Sequence, residues 1–166
     1  FKTVRTDGGT PIVVTAASFD PRGGSWAPDG TVLTNLSALT GLARVSANGT
    51  TDLAVPLNAA AGESSLRFPF FLPDSRHFVA VVRSPDEDRR GVVLGELGNP
   101  SRTKLVSSDW GAAVVDDHLL YLRGSTLMAQ PLDLSAATLR GDPQPLLDRV
   151  GGSTGGFPGF SVSYDG

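Results

Sequence analysis

Short apolar runs, many alternating with polar residues, recur along the whole chain, and Gly, Pro, Asn or Asp separates each from the next. Alternation of this length predicts strands rather than helices. Two kinds of turn join them in strict alternation. The first carries Asp7-Gly8, Asn48-Gly49 and Gly98-Asn99-Pro100, and Asp-Gly and Asn-Gly close tight hairpins because both tolerate positive φ. These turns predict pairing of 1–4 with 12–15, 42–45 with 53–55, and 92–97 with 103–106. A looser member, Leu134-Ser135-Ala136, joins 127–132 to 138–139.

The second kind is an aspartate turn: Trp26-Ala27-Pro28-Asp29-Gly30, Phe71-Leu72-Pro73-Asp74-Ser75, Val115-Asp116-Asp117-His118 and finally Ser163-Tyr164-Asp165-Gly166. The first three predict pairing of 25–27 with 31–34, 70–72 with 77–82, and 112–115 with 119–122. Each Asp side chain is expected to accept from a backbone N–H two positions on. Trp26, Phe70, Phe71 and Phe160 are expected on an inner strand or at its end, packed between neighbouring repeats.

The turn aspartates Asp29, Asp74, Asp117 and Asp165 are spaced by 45, 43 and 48 residues. A repeat in the middle forties with four short strands marks the blade of a β-propeller. The predicted fold is therefore all-β: a propeller of four-stranded antiparallel blades, threaded a-b-c-d, forming one domain over 1–166. Strands c and d of one blade fall in 1–15, whole blades in 22–55, 68–106 and 110–147, and strand a of a further unit in 157–166. That makes about three and three-quarter blades, where propellers close with about four to eight. The chain starts at Phe1 without Met, in a strand-like pattern, and is expected to be an excerpt of a larger ring; an unusually small ring is the alternative. Segments 35–47 and 57–62 hold good helix formers without caps or an apolar stripe. The first is expected to be a loop running into a strand, the second a blade-to-blade connection.

Composition fits this picture: 40% of residues are hydrophobic and 19% charged, with 20 Gly and 12 Pro to supply the turns. Fourteen basic against seventeen acidic residues leave a net charge of −3 with no basic stripe, so no nucleic-acid partner is expected. No apolar run is long enough to span a bilayer, so no direct membrane insertion is expected. The chain has no Cys, hence no disulfide and no thiolate metal site.

Candidate chemistry is sparse. Gly151-Gly152-Ser153-Thr154-Gly155 matches the G-x-S-x-G elbow, but the Gly156-Phe157-Pro158-Gly159 that follows cannot open the helix that elbow needs. A flexible inter-blade loop is expected there instead. His77 and His118 each follow an aspartate turn, which favours a structural role over metal binding. The run Asp86-Glu87-Asp88-Arg89-Arg90 is expected to be a solvated b–c loop, with a partner contact as the alternative. Asn35-Leu36-Ser37 and Asn48-Gly49-Thr50 fit the glycosylation pattern by chance. In 57–67, a loop feeding strand a, Glu63 and Arg67 are the candidate ligand-binding residues, because such loops gather around a propeller's channel. The alternative is that they bond to each other or to backbone and lock the loop. No catalytic residue, cofactor or metal is expected.

The words Phe70-Phe71-Leu72-Pro73-Asp74-Ser75-Arg76-His77-Phe78, Thr126-Leu127-Met128-Ala129-Gln130-Pro131-Leu132-Asp133, Gly141-Asp142-Pro143 and Phe160-Ser161-Val162-Ser163 occur in that order. With Gly23-Gly24-Ser25-Trp26 and Arg44-Val45-Ser46, they resemble TolB-like (WD40-like) propeller repeats. Such repeats lie behind the kinase domain of many bacterial eukaryotic-like serine/threonine protein kinases, and in some winged-helix regulators. Ser75 departs from the family's usual Gly, and the third turn lacks its Pro. The resemblance implies a non-catalytic sensor or interaction region, on the extracytoplasmic or periplasmic side of a membrane-anchored protein, that takes a protein or small ligand on its loop face. Self-association through open blade edges is a further expectation. The alternative function is the gating propeller of a hydrolase such as a prolyl-peptidase type enzyme. No kinase catalytic motif is present to carry over.

Overall fold

Fifteen short strands and one 3₁₀ turn form among the residues described by the computed structural model, which are 2–16, 20–46 and 48–163. The Tyr164-Asp165-Gly166 end of the fourth aspartate turn lies outside them. β1 (Lys2–Thr3) and β2 (Ile12–Val13) make a two-stranded hairpin. β3 (Gly24–Trp26), β4 (Val32–Thr34), β5 (Leu42–Val45) and β6 (Thr51–Val55) form the first four-stranded sheet. β7 (Ser65–Phe71), β8 (His77–Arg83), β9 (Gly91–Glu96) and β10 (Arg102–Val106) form the second. β11 (Ala113–Val115), β12 (His118–Arg123), β13 (Thr126–Asp133) and β14 (Thr138–Leu139) form the third, and β15 (Gln144–Leu147) also pairs with β13. Each of the three larger sheets is built on an antiparallel meander, which makes it a propeller blade.

The aspartate turns close the inner hairpins at Trp26↔Val32, Phe71↔Phe78 and Val115↔His118. Asp29 accepts from the Thr31 N–H at 2.8 Å, and Asp74 from the N–H groups of Arg76 and His77 at 3.0 and 2.8 Å. Gly30 takes the left-handed position of the first turn with φ +86°, and Ser75 occupies the same position of the second at φ +57°. In the third, Asp116 and Asp117 both have positive φ, the pattern of a two-residue hairpin that needs no Pro.

The core lies between blades. Phe78, Ala80 and Val82 of β8 pack with Leu33, Leu42, Val55 and Phe71 toward the first blade. Val79 and Val81 pack with Val92, Leu119, Tyr121 and Met128 toward the third. Covered on both faces, β8 has an uninterrupted apolar run in place of alternation.

One expectation is corrected and two are extended. Trp26, in the position that Phe71 occupies one repeat later, is 54% exposed, while Phe71 is fully buried. Beside Trp26 stands the two-stranded β1–β2 hairpin, whose Lys2 and Thr3 line one cavity with it. Segment 57–62 holds a 3₁₀ turn at Ala59–Ala61, capped by Asn58, whose side chain accepts from the Ala61 N–H, and ended by Gly62 at φ +70°. The outer strand of the third blade comes in two pieces, β14 and β15, broken at Gly141-Asp142-Pro143. All four β15 residues are exposed, so no apolar alternation announces that strand.

Candidate functional site

The inner strands β3, β7 and β11 start from one face of the blades, here the upper face, and run to the aspartate turns on the lower one. The repeat sets Arg22-Gly23-Gly24-Ser25-Trp26 in the place of Arg67-Phe68-Pro69-Phe70-Phe71. Gly23, Gly24, Phe68 to Phe70 and Gly111 to Ala113, together with Pro158 and Phe160 to Val162, line a cavity of about 210 Å³. It is a small, mostly apolar hollow between the inner strands, and its upper mouth is the candidate site.

Phe68 organises that mouth. Arg67 pairs with Val81 but Phe70 with Val79, so β7 carries one extra residue and bulges there. Phe68 adopts φ +50°, a conformation that costs a bulky residue about 1–3 kcal/mol. Several contacts hold it: its N–H donates to the Arg22 carbonyl at 2.7 Å, and its ring meets the Phe157 ring edge-on, with centroids 4.8 Å apart. Gly23 of the first blade and Gly111 before β11 press on the same side chain. Three chain segments, 22–23, 111 and 157, thus converge on one strained residue.

Arginines ring it. Arg22 ion-pairs with Asp20 and donates to the Gly155 carbonyl at 3.2 Å. Its Nε is buried without an acceptor among the described residues. Arg83, opposite Ser65 at the start of β7, ion-pairs with Asp109, which Arg90 also approaches at 3.5 Å. Arg67 donates to Ser65 Oγ at 3.0 Å and to the Ala38 carbonyl at 3.4 Å. Burial, then repulsion from Arg83 and Arg22, holds its pKa below the usual arginine value, with Asp20 offsetting part of this.

The glycine-rich inter-blade segment after the third blade packs against these groups. A side chain at Gly152 would collide with the Trp110 indole, and one at Gly155 with the Arg22 guanidinium. Ser153 donates its N–H to the Phe157 carbonyl, and its Oγ accepts from the Phe157 N–H at 3.3 Å. The hydroxyl therefore sits inside a turn with no helix behind it.

The structure separates Glu63 from Arg67. Glu63 lies in the connection before β7 but ion-pairs with Arg102 of the outermost strand, the two side chains being 10% and 5% exposed. It also accepts from the Asn58 N–H at 2.7 Å, which locks the loop. Arg67 lies within β7 itself. His77 bonds Asp74 and His118 the Asp116 carbonyl, each within its own turn. Among the described residues no three His, Asp or Glu side chains converge as a metal site. The 86–90 loop is held by Arg89 on Asp86 and by Lys104 on the carbonyls of Glu87 and Asp88.

Asn35 was visible in the sequence only as a glycosylation pattern. It is fully buried: its Oδ1 accepts from the Arg22 N–H, and its Nδ2 donates to the carbonyls of Thr40 and Gly41. It fixes the segment that carries Arg22, just before β3.

Among solved structures, the chain is similar to TolB from Acinetobacter baumannii, with a TM-score of 0.60 over 94% of this chain at 14% identity. The fold is a TolB-like β-propeller. The chain spans 38% of the length of that structure. No protein-family model matches the propeller sequence, and no curated protein matches it.

Proposed function

We propose that this propeller is a non-catalytic binding module, the sensor or interaction region of a bacterial signalling serine/threonine kinase or regulator, engaging a protein at the cavity mouth. The observation that carries the binding reading is the convergence of the first and third blades and the 151–157 loop on Phe68, a strained bulge beside arginines. Strain of this kind persists only where the surroundings over-determine it, as they do at ligand clamps. The kinase or regulator setting rests on the resemblance of the repeat words, and it predicts kinase motifs or a winged-helix domain in the same gene. A nucleophile-elbow domain downstream would overturn that setting in favour of a hydrolase.

The test of the mouth is site-specific photocrosslinking in the source cells. A photoreactive residue replaces Phe157 in one variant and Leu53, exposed on an outer strand, in another. The expected result is a discrete protein adduct from position 157 and none from 53. The same adducts from both positions, or none from 157, would overturn the reading.

A further inference from the structure

Resting on that reading of the mouth, we propose that Arg67, flanked by Arg22 and Arg83, receives the carboxylate of an acidic peptide segment. Arg22 and Arg83 have carboxylate partners, Asp20 and Asp109. Arg67 has none among the described residues, and its two partners, Ser65 Oγ and the Ala38 carbonyl, are neutral. A guanidinium presents five N–H donors in a planar fork, so most of Arg67's capacity is unused. The buried Nε of Arg22 is a further unmet donor on the same face.

Positive charge is therefore in excess where water is partly excluded. Repulsion from Arg83 and Arg22 acts on Arg67 in addition to its burial, and Asp20 offsets only part of this. A bound anion would relieve both costs, and a carboxylate matches the fork through two parallel hydrogen bonds. The surroundings favour a peptide over a free ion. Phe157 leaves 46% of its surface exposed beside Phe68, and the cavity below is small and mostly apolar. An acidic residue followed by an apolar one would meet both features, its carboxylate on Arg67 and its apolar side chain on Phe157.

Arginine Nε–H signals of the full chain, followed by NMR, test this. Three probes are titrated: acetylated Glu-Leu-Glu-Leu, its Gln-Leu-Gln-Leu counterpart, and inorganic phosphate. The expected result is saturable shifts at Arg67 and Arg22 with the acidic peptide alone, while Arg44, paired with Asp52 on the outer strands, stays still. Affinity should fall about tenfold or more in Arg67→Gln, as for loss of a charge-assisted pair. Arg67→Lys keeps the charge but loses the fork, so it should also bind more weakly, and it carries the test if the Gln variant does not fold. Equal binding of the two peptides, unchanged affinity in the variants, or saturation by phosphate in place of peptide would each overturn the assignment. A protein crosslinked at 157 without acidic-peptide binding would defeat this inference alone. Acidic-peptide binding without any crosslinked protein would defeat only the protein-partner reading.

Discussion

Phe68 and Phe157 lie edge to face, 89 residues apart in sequence, with ring centroids 4.8 Å apart and an interplanar angle of 67°. This contact ties the segment after the third blade to the bulge of the second. Aromatic pairs of this geometry contribute about 0.5–1.5 kcal/mol beyond the area they bury. A double-mutant cycle of Phe68→Ala and Phe157→Ala, read by urea unfolding, should give a coupling energy in that range. Zero coupling would mean that the 151–157 loop is not anchored by this pair. Phe68→Ala alone should cost about 3 kcal/mol or more, as truncation of a buried aromatic does.

Ser75 holds the left-handed position that Gly30 fills one repeat earlier. A non-glycine residue there costs about 1–2 kcal/mol, while glycine's extra freedom in the unfolded chain returns about 0.4–1. Ser75→Gly should therefore stabilise the propeller by about 0.5–1 kcal/mol. A lowered unfolding midpoint in the variant would show that the serine itself supports the turn.

Glu63 and Arg102 form a pair shielded from water. Removing one member of such a pair strands the other charge, at a cost of about 3–5 kcal/mol. Glu63→Gln and Arg102→Met should each destabilise by amounts approaching this, and the Glu63→Leu/Arg102→Met double variant by much less. If the double variant is no better than the singles, packing rather than charge holds the connection.

Acid should weaken the fold through its turns. Ser135, then the Arg140 guanidinium and the Ala136 N–H, bond Asp133 and hold its pKa well below the ordinary 3.8. At Asp74, burial pushes the pKa up, but the His77 ring and two backbone N–H groups prevail and lower it. A carboxylate whose folded pKa is depressed adds stability that is fully present above its unfolded pKa and is lost as pH falls through the folded value. The melting temperature should thus decline from about pH 4 downward, and Asp133→Asn should flatten that decline. Parallel curves for the two proteins between about pH 5 and pH 2 would exclude Asp133 as a contributor.

The sequence displayed what is local and repeated. Asp29 and Asp74, the paired apolar runs and the blade order follow from turn chemistry and alternation, which neighbouring residues alone determine. What depends on distant parts of the chain was hidden. The burial of Phe71 and the exposure of its counterpart Trp26 differ because one has a blade beside it and the other a small hairpin. Glu63 and Arg67, four residues apart, suggested a shared site, yet β7 begins at Ser65 and sends them to different partners. The bulge at Phe68 gave no signal, because an aromatic followed by proline announces neither positive φ nor a cavity mouth. The one available sign was positional: Arg22 and Arg67 recur at the same place in consecutive repeats.

The lower face is built almost wholly from turns that satisfy their own hydrogen bonds. The upper face is built from contacts between blades. Labels, tethers or inserted epitopes at Asn48-Gly49 or Gly98-Asn99 would thus perturb one hairpin each, whereas a single residue added in 151–157 would disturb three blades. The propeller offers one side for handling, while the other tolerates little change.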